Sequence, residues 1–244
     1  MYAAAKFQLF GTSHWMVFLF GFIFTVVAVV SHRKNPQSKV ARTTFFILVI
    51  TNLTAIFHTS GSHFFSGSKQ ELEYILPLHL CDFAAIVAAA ALLTRKPIFY
   101  ELTYYLGLGG TLQGLLTPNL HYDFPHPTFF SFFQLHLFVV IAALFVPLGL
   151  GWKPRRPLLK TMSRTFLIIC AYLITIYGCN YVLGTNYAFL MQKPENASLY
   201  DHLGPHPWYI LSVLGLVIVM LILLTLPFLR KTSSANESSP HLEN

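Results

Sequence analysis

Seven long apolar segments, separated by short polar loops, constrain the fold of this chain more than any other feature of its sequence. A hydrocarbon core roughly 30 Å thick takes about 20 apolar residues per helix, and segments of that length recur along the chain. Only 10% of the 244 residues are charged, whereas a soluble domain carries roughly 25%. We therefore predict an all-α, polytopic membrane protein, a bundle of seven transmembrane helices. The predicted helices are about 14–31, 44–65, 75–94, 98–118, 129–150, 166–190 and 208–229.

The loops between these segments alternate in charge. One set contains thirteen of the sixteen Lys and Arg residues, and the other contains only Lys6, Lys69 and Lys193. By the positive-inside rule, the N-terminus lies outside and the C-terminus in the cytoplasm of a multi-pass protein in the cell membrane. Residues 1–231 are predicted to form a single transmembrane domain. Residues 232–244 are polar and Ser-rich, so we predict a disordered cytoplasmic tail. The basic set comprises Arg33, Lys34, Lys39, Arg42, Arg95, Lys96, Lys153, Arg155, Arg156, Lys160, Arg164, Arg230 and Lys231.

The net charge of +7 does not indicate a nucleic-acid partner, because the basic residues adjoin apolar segments instead of covering a soluble face. The three cysteines, Cys81, Cys170 and Cys179, all fall within apolar segments and have no CxxC spacing. This arrangement suggests neither a disulfide framework nor a zinc knuckle.

The fourth segment has two features of its own. Its glycines favour close packing against another helix. Glu101 lies three residues inside the predicted inner boundary, so we expect it to extend toward Arg95, Lys96 or water. The glycines are Gly107, Gly109, Gly110 and Gly114.

Polar side chains on several segments lie at one depth. Counted at about 1.5 Å per residue, they lie about 6–10 Å below the outer boundary. Polar groups in hydrocarbon need partners and commonly mark functional sites. Asn180 and Asn186 bracket this layer, and His14 lies near its rim. The layer comprises His58, His79, Cys81, Asp82, Gln113, Gln134 and His136.

Helical spacing suggests how these side chains cooperate. His79 and Asp82 are three residues apart and share a helix face, so the carboxylate can orient the imidazole or share a metal with it. Cys81 lies about 200° around the helix from His79. If Cys81 is a nucleophile, its base must therefore come from another helix, as His136 or His58.

Several sequence motifs resemble those of the YwaF-type bacterial integral membrane family. The motifs are Ser-His-Trp at 13–15, Leu-Pro-Leu-His-Leu-Cys-Asp at 76–82, Gly-Gly-Thr-Leu-Gln-Gly-Leu-Leu-Thr-Pro at 109–118, Phe-Pro-His-Pro at 124–127, Asn-Tyr-Val-Leu-Gly-Thr-Asn-Tyr at 180–187 and Leu-Gly-Pro-His-Pro-Trp-Tyr at 203–209. The resemblance extends from about 10 to 225. That family is related to a mammalian transmembrane acyltransferase that moves polyunsaturated acyl chains onto lysophospholipids through a cysteine. In the mammalian branch the cysteine adjoins a histidine, whereas here Leu80 separates His79 from Cys81.

The resemblance implies a lipid acyltransferase or acyl hydrolase that acts on phospholipid esters of the outer leaflet without a cofactor. In this hypothesis Cys81 is acylated, His136 or His58 is the base, and Asp82 orients His79. The predicted oxyanion donors and substrate-binding residues are Gln113, Gln134, Asn180, Asn186 and His14.

Two alternatives remain open from the sequence. His58, His79, Asp82 and His136 could hold a zinc ion that activates water, as in a metal-dependent seven-helix lipid hydrolase. The polar layer could instead bind a small solute in a transporter or receptor. Membrane phospholipids are the predicted partner of the enzyme, and the sequence leaves the oligomeric state open.

Overall fold

A computed structural model describes residues 5–64, 76–194 and 199–229, leaving aside the side chains of residues 56 and 58–64. Within these ranges the regular structure is helical, which confirms the prediction of an all-α fold. A π-helical segment, Gly107–Thr111, joins α4 to α5. The helices are α1 (Thr12–Lys34), α2 (Lys39–Phe64), α3 (Leu80–Thr94), α4 (Pro97–Leu106), α5 (Leu112–Leu116), α6 (Pro127–Leu148), α7 (Leu158–Leu183) and α8 (Trp208–Thr225).

Among the described residues, four helical stretches are long and apolar enough to cross a membrane. They are α1, α6, α7 and Trp208–Phe228, which extends α8 by a 3₁₀ turn; α3 is apolar but shorter. These helices support a membrane protein. The count of seven spans, the orientation of the termini and the single domain stay predictions. The predicted tail at 232–244 lies outside the described residues.

Helix α6 occupies the centre of the bundle. It packs against α1, α2, α3, α4 and α5, and 67% of its most apolar stretch is buried. Leu137, Ile141 and Phe145 of α6 form one core with residues of α2 and α3. Close contact between helices is the main source of stability in lipid, because lipid tails are as apolar as the side chains themselves.

Several helix boundaries differ from the predicted ones; for example, α2 begins at Lys39 instead of residue 44, and α7 begins at Leu158 instead of residue 166. The prediction began the third helix at residue 75, but α3 begins at Leu80, and His79 is an extended N-cap (φ −72°, ψ 153°). The prediction continued the sixth helix to residue 190, but α7 ends at Leu183 because Gly184 adopts the left-handed conformation (φ 68°). Glycine ends helices in this way because it lacks the Cβ that disfavours positive φ.

The glycines that follow α4 let α6 approach closely, as predicted. A Cβ on Gly107 would lie 2.5 Å from the Cβ of Ala143. A Cβ on Gly114 would lie 2.5 Å from Cδ2 of His136. These glycines thus bring the end of the fourth segment into close contact with α6.

Glu101 does not reach the loop at residues 95–96. Its side chain is 1% exposed and bonds to the Arg164 guanidinium and to the Thr165 hydroxyl (2.8 Å). The expectation that Glu101 extends toward Arg95, Lys96 or water was wrong because α7 packs beside α4 and supplies both partners. A buried carboxylate requires such partners, and Glu101 consequently ties α4 to α7.

Candidate functional site at the start of α3

The site is built around the first turn of α3. Oδ2 of Asp82 accepts a hydrogen bond from the backbone N–H of His79 (3.2 Å). An acidic residue at this third helical position caps the helix by bonding back to the N-cap. Asp82 is 3% exposed. It therefore fixes the backbone of His79, and the helical-face argument does not apply because His79 precedes the helix.

The His79 imidazole lies under the loop that follows α7. Its Nδ1 accepts a hydrogen bond from the backbone N–H of Ala188 (3.4 Å). The rings of Tyr187 and Phe189 lie 5.3 Å and 5.9 Å from the imidazole, centroid to centroid. Because Nδ1 is an acceptor here, a neutral His79 carries its proton on Nε2.

The loop over His79 has an unfavourable backbone conformation. Ala188 (φ 55°) and Phe189 (φ 54°) both have positive φ without being glycine. Such residues cost on the order of 1–3 kcal/mol each and are concentrated at functional sites, where the surrounding structure must hold them in place. Neighbouring residues must consequently stabilise this loop conformation.

Asn180 supplies much of that support. Its Oδ1 accepts from the N–H of Tyr187 (2.8 Å) and from the hydroxyl of Thr185 (3.0 Å), and its Nδ2 donates to the carbonyl of Tyr187 (2.9 Å). Asn186 acts similarly, because its Oδ1 accepts from the N–H groups of Met191 and Gln192. Both asparagines, predicted to bind substrate, thus make their hydrogen bonds within the loop.

Tyrosines that the sequence analysis missed complete the wall of the site. The hydroxyl of Tyr172 donates to the carbonyl of Leu78 (2.7 Å), and its ring stacks on Phe83 at 4.8 Å. Burial, together with the neighbouring Tyr209 and Cys81, raises the pKa of Tyr200 to about 12. The Tyr200 phenol is therefore protonated at neutral pH and can donate a hydrogen bond. Tyr172 lies in an apolar segment and Tyr200 in a loop beside one; single tyrosines at such positions resemble interfacial anchors, so the sequence offered no clear signal for them.

Cys81 lies in the first turn of α3 and is half-buried. Its side chain packs against an apolar cluster that includes Ala55 of α2, Ala84 of α3 and Leu135 of α6. The Thr111 hydroxyl is buried beside the thiol without closing a hydrogen bond of normal geometry. The thiol consequently lies where α2, α3, the π segment and α6 meet.

His136 of α6 packs against Gly114 of α5. Its Nδ1 donates to the carbonyl of Phe132 (2.8 Å), and its ring stacks on that of Phe132 at 4.0 Å. Among the described residues, no group bonds to its Nε2. A histidine held through Nδ1–H, with Nε2 left as an acceptor, has the arrangement of a general base.

The other predicted site residues lie elsewhere. Nε2 of Gln134 donates to the Thr51 carbonyl (3.1 Å) and the Thr54 hydroxyl (2.9 Å), which ties α6 to α2. Gln113 is exposed. The side chain of His58, the other predicted base, lies outside the described residues.

His14 joins α1 to the end of α5. It is fully buried. Its Nδ1 accepts from the backbone N–H of Phe10 (3.1 Å), so Nε2 carries the proton that it donates to the carbonyl of Leu115 (2.9 Å). Both ring nitrogens thus form hydrogen bonds within the protein.

Three of the four donors proposed for zinc belong to the described residues, and these three do not form a metal-binding group. No three His, Cys, Asp or Glu side chains in the described part of the chain form a group that could hold a metal ion, and His79, Asp82 and His136 all belong to that part. The described residues therefore do not fit a zinc site.

Comparison with known proteins gives the chain a family. A model described as "TMEM164 family" matches residues 9–225. An uncharacterized protein of Treponema pallidum (strain Nichols) is 27% identical over 153 residues, which are 63% of this chain and 62% of that protein. No solved structure matches. The YwaF-type assignment stays a prediction. Because the family model extends from the start of α1 to the end of α8, this chain belongs to the TMEM164 family.

Proposed function

We propose that this membrane protein transfers acyl chains from phospholipid esters to an acceptor through the Cys81 thiol. The observations that best support the proposal are a half-buried cysteine in a helix's first turn, Cys81, and a histidine of α6, His136, whose ring is oriented by a hydrogen bond from Nδ1. The motif resemblance to a family related to a cysteine acyltransferase agrees with this chemistry.

In the first half-reaction, Nε2 of His136 takes the proton from Sγ of Cys81. The sulfur then bonds to the ester carbonyl carbon, and the carbonyl electron pair moves onto oxygen. When this intermediate collapses, the ester C–O bond breaks and the leaving alkoxide takes the proton from His136. The products are a lysophospholipid and a thioester on Cys81.

In the second half-reaction, an acceptor hydroxyl loses its proton to His136 and attacks the thioester. The C–S bond breaks, and the thiolate recovers the proton from His136. A lysophospholipid acceptor gives net acyl transfer, whereas water gives net hydrolysis.

Backbone N–H groups stabilise the oxyanion in this mechanism. The N–H groups of Leu80 and Cys81 lie in the first turn of α3, where no intrahelical acceptor exists for them. They are better placed than the predicted side-chain donors, because Gln134 bonds to α2, Asn180 bonds to its loop and Gln113 is exposed. N–H groups at a helix N-terminus favour developing negative charge.

His79 and Asp82 act as positioning residues. Asp82 fixes the backbone of His79, and the loop residue Ala188 fixes the His79 imidazole. The arrangement holds the start of α3, and with it the thiol, against the loop that follows α7.

The test uses purified protein in nanodiscs containing phospholipid with a labelled acyl chain. Mass spectrometry follows label on the intact protein and in the lipid products. We expect a labelled protein and lysophospholipid for the native chain and for Cys170→Ala, which removes a cysteine of α7. Cys81→Ala is expected to give neither.

Two results would contradict this mechanism. Full turnover by Cys81→Ala would remove the thiol from it. Absence of product from folded native protein, offered several lipids and acceptors, would favour transport or solute binding instead.

A further inference from the structure

A second candidate site lies at the opposite, basic end of the bundle. The helices α1, α3 and α6 end there, and α2 and α4 begin there. One cavity of about 540 Å³ and a second of about 900 Å³ open at this end, and both are lined by His32, Pro36 and Arg95. We call the two together the basic cleft.

All charged residues that line the basic cleft are positively charged. Its lining includes Arg33, Lys39, Arg42 and Arg95, and none of the residues that line it is acidic. Within the described ranges, no carboxylate forms a salt bridge with any of these four cations. A concave site lined by one sign of charge concentrates ions of the other sign.

Several of these groups are held in place. Nε of Arg33 donates to the carbonyl of Leu148, which anchors that side chain and leaves its terminal nitrogens available. The Arg95 guanidinium lies 6.0 Å from the centre of the Phe45 ring. An anion entering the cleft would meet partly ordered donors, which reduces the entropy lost on binding.

His32 adds an imidazole to the lining of the cleft. Its ring stacks on Phe45 at 6.3 Å and meets the ring of Phe145 edge-on at 5.2 Å. Nδ1 of His32 is buried and has no hydrogen-bond partner among the described residues. Buried polar atoms are nearly always bonded, so this nitrogen indicates a ligand or water in the cleft.

The surroundings of the cleft suit a lipid. Phe45 and Phe46 line it beside the cations, and Phe46 is 64% exposed. A phospholipid offers a phosphate for the guanidinium groups and acyl chains for the adjacent apolar surface.

We propose that the basic cleft binds a phosphate group, supplied by the headgroup of an anionic phospholipid. This site is separate from the one at the start of α3 and does not depend on the proposed acyl transfer. By the predicted topology it faces the cytoplasmic leaflet, where anionic lipids attract basic residues.

The test measures lipid binding by native mass spectrometry of the full chain, with phosphatidylglycerol and phosphatidylcholine offered separately. Arg42→Gln/Arg95→Gln removes two cations that line the cleft. Arg155→Gln/Lys160→Gln removes two exposed cations outside it, which matches the change in total charge. We expect phosphatidylglycerol to bind about 30-fold more weakly to the cleft variant and less than about threefold more weakly to the control.

Inorganic phosphate, added as a competitor, distinguishes a phosphate group of a lipid headgroup from a soluble phosphate ion. If phosphate does not displace phosphatidylglycerol, the result supports a lipid site. Displacement at millimolar phosphate retains the phosphate site and assigns it to a soluble ion. Equal losses in the two double variants, or equal binding of both lipids to the native chain, would overturn the proposal. Thermal unfolding checks that each variant folds, and Lys39→Gln/Arg42→Gln replaces the first variant if Arg95 is needed for folding.

Discussion

Replacing Gly114 by Ala tests whether the close contact between α5 and α6 positions His136. The added Cβ would lie 2.5 Å from Cδ2 and 2.8 Å from Nε2 of that imidazole. Nonbonded carbon atoms prefer about 3.5–4.0 Å, so the ring must move by about 1 Å or the helices must separate. Overpacking of this kind typically costs about 1–3 kcal/mol.

Gly178→Ala in α7 is the matched control. A Cβ at that position meets nothing within 4 Å. Both substitutions gain the helix preference of Ala over Gly, about 1 kcal/mol, so the difference between them isolates the steric effect. We expect Gly114→Ala to be less stable than Gly178→Ala by about 1–3 kcal/mol in thermal or denaturant unfolding in the same detergent.

The activity measurement follows from the same displacement. If His136 is the general base, a shift of about 1 Å in its imidazole should lower the acyl-transfer rate by about 100-fold. Gly178→Ala should keep the native rate. Equal stability and equal rates for the two variants would refute both the tight contact and the role of His136.

Three further substitutions test the supports of the site and of the bundle. Asn180→Ala should destabilise the protein by about 2 kcal/mol and speed hydrogen exchange at residues 185–190, because it leaves buried backbone groups without partners. Arg164→Ala should lower stability in denaturant unfolding by about 2 kcal/mol, since it leaves the buried Glu101 carboxylate with one partner fewer, whereas Arg156→Ala should change it less. Tyr172→Phe should cost about 1 kcal/mol, measured by thermal unfolding, because it removes one hydrogen bond to the start of α3.

The helices could be predicted from the sequence because apolar length is a strong signal in a membrane protein. Helix α6, for example, spans Pro127–Leu148 where residues 129–150 were predicted. The start of α3 could not be placed so well. Leu76, Pro77 and Leu78 extend the apolar run, and only the cap between His79 and Asp82 shows where the helix begins.

The partners of individual polar residues could not be predicted from their spacing. Asn180 and Gln134 each form hydrogen bonds with a neighbouring loop or helix. A sequence shows that a buried amide needs partners without showing which atoms supply them. Tyr172 and Ala188 were missed because their contacts depend on how the chain folds back after Gly184.

The π-helical segment fixes the rotational phase between α4 and α5. A π-helical turn, with hydrogen bonds from residue i to residue i+5, contains about one residue more than an α-helical turn. In a regular helix with the same sequence, every residue after the segment would be turned by about 100°. Gly114 would then no longer face His136. Loss of one residue from Gly107–Thr111 would keep the face of α5 unchanged, whereas loss of one from α6 would rotate everything beyond it. A one-residue deletion within the π-helical segment is therefore less disruptive than one in α6, because it preserves the contact between the face of α5 that carries Gly114 and the face of α6 that carries His136.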